Sequence, residues 1–113
     1  NQSRRQRQMC IRDRVKAGLL NYSNHIAQTE GPNGVRSNVI CPGPIYIEGG
    51  PWNFIKDNME DFYNATLKSI PLGKYGSGED IAKTVAFLAS PASGHTTGTN
   101  VVIDGGFTKG VQF

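Results

Sequence analysis

Two short predicted strands, each followed directly by a turn rich in glycine and proline, constrain the fold of this chain more than any other feature. The first, residues 35–41, ends in Val-Ile-Cys followed by Pro-Gly-Pro, and the second, residues 101–103, is fully apolar and followed by Asp-Gly-Gly. Strands that are apolar on both faces are typical of parallel sheets covered by helices on both sides. The sequence therefore predicts an α/β fold.

Three amphipathic helices are predicted beside these strands: residues 15–29, one continuous helix from residue 51 to residue 69, and residues 78–89 after a Ser-x-x-Asp capping pattern. The predicted buried face of the first helix is Val15, Leu19, Tyr22, Ile26 and Thr29. Two strands are too few for a stable sheet of this kind, so the chain is predicted to be part of a larger α/β domain. In such sheets ligands bind beyond the carboxyl ends of the strands.

The positive charge is concentrated at the start of the chain. Residues 1–16 carry six basic residues and one acidic residue, a net charge of +5, whereas the whole chain carries +3 and the remaining 97 residues therefore −2. An arginine-rich arm of this kind can bind nucleic acid by neutralising phosphates. Residues 5–14 also resemble translated sequencing-adapter sequence, so residues 1–14 are predicted to be a non-native leader.

Composition excludes several classes of protein. The longest apolar run, residues 85–89, is far shorter than the roughly 18 residues that a membrane span requires. Cys10 and Cys41 stand 31 positions apart, which is neither a disulfide scaffold nor a Cys-x-x-Cys metal site. We therefore expect no metal site, no membrane partner and a reducing, cytoplasmic setting.

Taken in order, several segments resemble the C-terminal part of the short-chain dehydrogenase/reductase family, and in particular members similar to 3-oxoacyl-[acyl-carrier-protein] reductase. The matching segments are Lys-Ala-Gly-Leu-Leu at 16–20, Gly-Val-Arg-Ser-Asn-Val-Ile-Cys-Pro-Gly at 34–43, Ile-Pro-Leu-Gly at 70–73, Gly-Glu-Asp-Ile-Ala at 78–82, Phe-Leu-Ala-Ser at 87–90 and Thr-Gly-Thr-Asn-Val-Val-Ile-Asp-Gly-Gly at 97–106. The resemblance implies that residues 15–113 are the C-terminal portion of a Rossmann-type, doubly wound parallel sheet. Complete members are more than twice this long.

The resemblance also implies a catalytic role for Lys16. Family members use a Tyr-x-x-x-Lys pair in which the lysine lowers the pKa of the tyrosine and binds the cofactor ribose, so Lys16 is both a catalytic and a cofactor-binding candidate. The position of the tyrosine is occupied by Arg12, whose guanidinium does not release a proton at neutral pH. The chain as given is therefore expected to lack dehydrogenase activity.

Two further regions are assigned by the same resemblance. Pro42, Gly43 and Ile45 correspond to the loop that meets the nicotinamide ring, although Ile47 stands where many members have a threonine. Residues 48–69 correspond to the variable lid over the substrate, for which the candidate residues are Tyr46, Glu48, Trp52, Ile55 and Met59. The alternative interpretations are a simple strand-ending turn and a helix packed on the sheet.

The resemblance implies an NAD(P)-dependent oxidoreductase that interconverts a small-molecule carbonyl and an alcohol by hydride transfer. NAD or NADP is the expected cofactor, and the full-length protein is expected to be a homo-oligomer, either a dimer or a tetramer, without a nucleic-acid partner. The first alternative is a non-catalytic module that binds nucleic acid through its basic arm. The second is a degenerate, non-enzymatic relative that acts through subunit contacts.

Overall fold

A computed structural model describes the backbone of residues 2–109 and the side chains of residues 14–109. Within these residues the α-helices and strands follow in the order α1 (Gln2–Glu30), β1 (Val39–Pro42), α2 (Pro51–Asn58), α3 (Glu60–Ser69), α4 (Gly78–Ala89) and β2 (Asn100–Ile103). Short 3-10 helices follow α1 at Gly31–Asn33 and α4 at Pro91–Ser93. No helix of this described part is both long and apolar enough to span a membrane.

The two strands pair with each other in parallel. The Val39 amide donates to the Thr99 carbonyl at 2.9 Å, and the Gly43 amide donates to the Ile103 carbonyl at 2.8 Å, so both partners advance together along the chain. The α/β prediction is confirmed, but β1 begins four residues later than the predicted start at residue 35. The reason is that the Ser37 amide donates to the Thr97 side chain at 3.0 Å, which takes the place of a backbone partner.

The chain divides into two compact units. The first contains α1, the chain up to Val39, and His95–Asn100. The second contains Ile40–Gly94 and the chain from Val101 onward. Each unit is described by itself.

In the first unit, α1 approaches the segment before β2 through small side chains. Ala27 is 4% exposed, and a Cβ atom at Gly98 would lie 3.5 Å from the Ala27 Cβ and 3.2 Å from Asn24 Oδ1. Asn38 holds the same segment by donating to the Thr96 carbonyl at 3.1 Å and accepting from the Thr99 hydroxyl at 2.6 Å. The segments at 34–43 and 97–106 that carry the family resemblance therefore stabilise each other here.

The predicted buried face of the first helix is wrong for most of its length. Val15, Leu19 and Tyr22 are 67%, 59% and 63% exposed. Among residues 14–30 of α1, the buried positions are instead Ser23 and Ala27, because their small side chains permit close approach of the neighbouring backbone. The helix also extends well before its predicted start at residue 15, through arginine, glutamine and methionine residues of high helix propensity.

In the second unit, the predicted continuous helix from 51 to 69 is interrupted. Met59 (φ −138°, ψ 57°) separates α2 from α3, and its amide closes α2 by donating to the Ile55 carbonyl at 2.7 Å. The interruption places the Trp52 and Phe62 rings in a stack with centroids 5.9 Å apart. In a straight helix ten residues span about 15 Å, so these rings could not meet without the break.

The predicted start of α4 is confirmed in detail. Ser77 Oγ accepts from the Asp80 amide at 3.2 Å, and Asp80 Oδ2 accepts from the Ser77 amide at 2.8 Å, which completes the capping box. The Ser77 hydroxyl also donates to Asp80 Oδ2 at 3.0 Å, and the hydrogen bonds that the carboxylate accepts from the Ser77 amide and hydroxyl hold the pKa of Asp80 below its usual value.

Candidate functional site

The chain leaves β1 through a loop in which Gly43 lies too close to Asp104 to carry a side chain. A Cβ atom at Gly43 would collide with the Asp104 side chain and would lie only 2.8 Å from the Asp104 Cα. Pro42 is exposed, whereas Pro44 is buried. The close approach that the sequence predicted at Gly43 is thus made by the turn after β2, so Gly43 has a structural function whether or not a ligand binds beside it.

Ile45 forms an isolated parallel bridge with Gly76. The Gly76 amide donates to the Pro44 carbonyl at 3.1 Å, and the Tyr46 amide donates to the Gly76 carbonyl at 2.8 Å. Because backbone groups alternate in direction along an extended chain, the N–H and C=O of Ile45 point away from Gly76. Among the backbone hydrogen bonds found in residues 2–109, none uses either group of Ile45.

The segment between this loop and α2 is a tight turn at the surface. The Gly50 amide donates to the Ile47 carbonyl at 2.8 Å, and the Gly49 amide donates to Asn53 Oδ1 at 2.9 Å. Glu48 and Ile47 are exposed in this turn. Ile47 therefore presents an apolar side chain to solvent where many family members are expected to present a hydroxyl.

An aromatic cluster of five rings joins the loop at residues 42–46 to α2 and α3. Its members are Tyr46, Trp52, Phe62, Tyr63 and Tyr75. The Tyr63 and Tyr75 rings stack with centroids 4.6 Å apart and an interplanar angle of 18°. Tyr75 also meets Trp52 at 5.2 Å, and Tyr46 meets Tyr63 edge-on at 6.4 Å. These rings, and not a stripe along one helix, hold α2 and α3 together.

The remaining lid candidates, Glu48, Ile55 and Met59, are not members of this cluster. Ile55 is half-buried and Met59 is exposed. Lys56 places its ammonium 5.4 Å from the Tyr46 centroid and 5.8 Å from the Tyr63 centroid, which is cation–π distance. The lid candidates Tyr46 and Trp52 therefore belong to one contiguous group, whereas Glu48 stands apart from it in the surface turn.

The turn after β2 is rigidly held. Asp104 accepts from the Gly106 and Thr108 amides, each at 2.8 Å, and hydrogen bonds from Thr108 are the main cause of a lowered pKa for its carboxyl group. Ile70, 3% exposed, lies against this turn, because a Cβ atom at Gly105 would be 3.0 Å from the Ile70 Cγ2. An open cleft of about 320 Å³ lies beside the turn and is lined in part by Tyr75, Gly76 and Asp104.

Lys16 lies on α1 with an exposed side chain and belongs to the first unit, whereas the loop at 42–46 lies in the second. The side chain of Arg12, which stands at the position of the expected proton donor, lies outside the described residues. The catalytic prediction for Lys16 therefore stays a prediction.

Sequence reasoning missed three residues of this region: Lys56, Tyr75 and Gly76. The sequence patterns include residues 70–73 and the capping residue Ser77 but none of residues 74–76. A glycine directly before the capping residue of α4, next to a large aromatic residue, was the available signal for a close backbone contact. In residues 14–109 no group of three or more histidine, cysteine, aspartate or glutamate side chains could hold a metal ion.

Comparison with known proteins identifies the family. A protein-family model described as enoyl-(acyl carrier protein) reductase matches residues 4–108. Isoepoxydon dehydrogenase patN of Aspergillus clavatus is 40% identical over 98 residues, which cover 87% of this chain and 38% of that protein. The 3-oxoacyl-[acyl-carrier-protein] reductase FabG of Chlamydia pneumoniae is 37% identical over 94 residues, or 83% of this chain and 36% of that protein.

Solved structures agree with these relatives. The crystal structure of YwfH, an NADPH-dependent reductase involved in bacilysin biosynthesis, superposes with a TM-score of 0.73 at 31% identity and covers 84% of this chain and 38% of that one. The chain thus spans less than two fifths of the length of the relatives that it matches. Its two paired parallel strands, its capped α4 and its Asp-Gly-Gly turn are those of one portion of a Rossmann-type sheet, and the chain belongs to the short-chain dehydrogenase/reductase family.

Proposed function

We propose that this chain is the C-terminal part of an NAD(P)-dependent oxidoreductase that interconverts a carbonyl and an alcohol on a small molecule by hydride transfer. Family membership supports the reaction class, as do the names of the relatives, which include a dehydrogenase, a 3-oxoacyl reductase and an NADPH-dependent reductase. The nucleic-acid alternative rests on the basic arm alone, and none of these relatives favours it.

The observation that carries the proposal is the backbone of Ile45. It lies directly beyond the carboxyl end of a parallel strand, where ligands of such sheets bind. Its N–H and C=O point away from the Gly76 bridge and are used by no other described backbone group. A primary carboxamide carries both an acceptor and a donor, so one residue with both backbone groups available fits the carboxamide of a nicotinamide.

The cofactor, when bound, supplies or accepts the hydride. In this proposal Ile45 binds the carboxamide, while Pro42 and Gly43 keep the loop close to the turn after β2. With a tyrosine in place of Arg12, the Lys16 ammonium favours the ionised form of that phenol, and it also binds the ribose hydroxyls. The helices α2 and α3 cover the substrate, and their aromatic cluster favours a substrate with an apolar body.

Several features of the complete protein are proposed with it. NAD and NADP both remain in the proposal, because the residue that selects between them lies in a part of the family's fold that has no counterpart in this sequence. We propose a homo-oligomer in the cytoplasm, in line with the family resemblance.

Calorimetric titration of NAD⁺ and NADP⁺ into a full-length protein that carries this sequence with the substitution Arg12→Tyr, which restores the expected proton donor, tests the proposal. One of the two should bind, and Lys16→Met should lower kcat by about 10²-fold or more, the range for acid–base contributions. The same substitution at the exposed Lys83 of α4 is the control and should leave kcat unchanged. Absence of binding for both cofactors would overturn the proposed function, and a normal kcat for Lys16→Met would remove Lys16 from it.

A further inference from the structure

Two adjacent residues, Tyr75 and Gly76, connect structures that the sequence treats as separate. Gly76 pairs by its backbone with residues 44–46, through hydrogen bonds of 3.1 Å to the Pro44 carbonyl and 2.8 Å from the Tyr46 amide. A Cβ atom at position 76 would lie 2.5 Å from the Ile45 Cδ1, so a larger residue there would have to displace the end of the Ile45 side chain. Any displacement of Gly76 therefore acts directly on the backbone of the proposed nicotinamide loop.

The side chain of Tyr75 contacts both lid helices. It stacks on Tyr63 of α3 at 4.6 Å, and its ring lies 5.2 Å from the Trp52 ring of α2. Its hydroxyl donates to the Tyr63 carbonyl at 2.8 Å. Tyr75 thus touches α2 and α3 on one side, while the next residue along the chain is bonded to the loop on the other.

The phenol is suited to a lasting contact of this kind. A tyrosine hydroxyl keeps its proton at neutral pH and is therefore a donor, and burial together with the neighbouring Tyr63 raises the pKa of Tyr75 further above its usual value. Two ring contacts and one hydrogen bond restrain the Tyr75 side chain. Gly76 is the next residue, joined to Tyr75 by a single peptide bond. A movement of the lid helices cannot leave residues 44–46 unaffected.

We infer that Tyr75 is a positioning residue that couples the lid helices α2 and α3 to the nicotinamide loop, so that cofactor binding at Ile45 orders the lid before substrate arrives. The inference rests on the proposed function, because it takes the loop and the lid in those roles. Tyr75 itself needs no contact with cofactor or substrate. Its effect passes through Gly76 to the loop and through Tyr63 and Trp52 to the helices.

Trp52 offers a direct probe, since it is the only tryptophan among these 113 residues. In the full-length protein, the emission of Trp52 is obtained as the difference between the parent and a Trp52→Phe variant. Its quenching by acrylamide is measured with and without NAD⁺ or NADP⁺, and cofactor affinity is measured separately by calorimetry. Coupling predicts that cofactor binding makes Trp52 less accessible to acrylamide in the absence of substrate.

Three variants decide the inference. Tyr75→Phe keeps the rings and should keep the protection of Trp52, whereas Tyr75→Leu should lose it while still binding cofactor. Tyr22→Leu makes the same chemical change at a tyrosine that is 63% exposed in the other unit, and should keep the protection. Should Tyr75→Leu fail to fold, Tyr63→Leu removes the stacked pair from the opposite side and must show the same loss.

Protection of Trp52 that persists in a cofactor-binding Tyr75→Leu or Tyr63→Leu protein overturns the coupling and leaves the proposed function standing. Cofactor binding without any change at Trp52 in the parent overturns it as well. Failure of the parent to bind either cofactor in the calorimeter overturns the proposed function itself. The two failures are therefore separated by the calorimetric measurement.

Discussion

Produced by itself, the 113-residue chain is expected to be molten or prone to aggregation, and the exposed face of α1 gives the scale of the effect. Val15, Leu19 and Tyr22 are 67%, 59% and 63% exposed. Complete burial of one large apolar side chain contributes about 1.5–3 kcal/mol, so the exposed fractions of the three together leave about 3–6 kcal/mol of stabilisation unrealised. That loss is comparable with the whole stability of a small domain, which is about 5–15 kcal/mol.

The assay combines size-exclusion chromatography, binding of a hydrophobic dye, and thermal unfolding monitored by near-UV circular dichroism. The isolated chain should bind dye, associate, and melt without a sharp transition. Leu19→Lys should reduce association without further loss of structure, because it places a charge at a site that already faces water. Ala27→Lys is the matched control and should abolish the remaining structure, since Ala27 is 4% exposed.

A soluble monomer with a sharp, reversible thermal transition and no dye binding would refute this reasoning. So would equal effects of the lysine at position 19 and at position 27, because the argument depends on the difference in their burial.

Two further predictions concern single groups in the full-length protein. Trp52→Ala removes two ring contacts of about 0.5–1.5 kcal/mol each and should mainly raise KM. If the variant instead unfolds, and the molecules that stay folded have normal kinetics, Trp52 is a core residue. The Asp80 carboxylate, whose pKa is lowered by hydrogen bonds from Ser77, stabilises the start of α4 above the unfolded value of 3.8, and this contribution is lost as pH falls through the lower folded value. An NMR titration should therefore find a higher pKa for Asp80 in Ser77→Ala, and an unchanged pKa would contradict the capping assignment.

Much of this protein was determined by the sequence alone, wherever a structure depends on neighbours a few residues away. The capping box of α4 joins residues three apart, so Ser77 and Asp80 were sufficient to predict it. The apolar residues 101–103 and the Asp-Gly-Gly turn at 104–106 likewise predicted the end of β2. Gly105 and Gly106 have φ values of 63° and 90°, which few other residues adopt, so the turn depends on the residue types found there. The ordered segments also predicted the family, which the comparisons confirmed.

Tertiary structure decided what depends on distant partners. The break at Met59 permits the stack of Trp52 on Phe62, which lies ten residues further on, and the requirement for glycine at position 43 follows from Asp104, which lies 61 residues away in the chain. The bridge between Ile45 and Gly76 leaves one side of the Ile45 backbone available, and although the glycine signals a close contact, nothing local identifies its partner 31 positions away. The periodicity of a sequence shows that a helix has an apolar face, but it cannot show whether anything packs against that face. Burial depends on where the rest of the chain lies, and the exposed face of α1 is the clearest case.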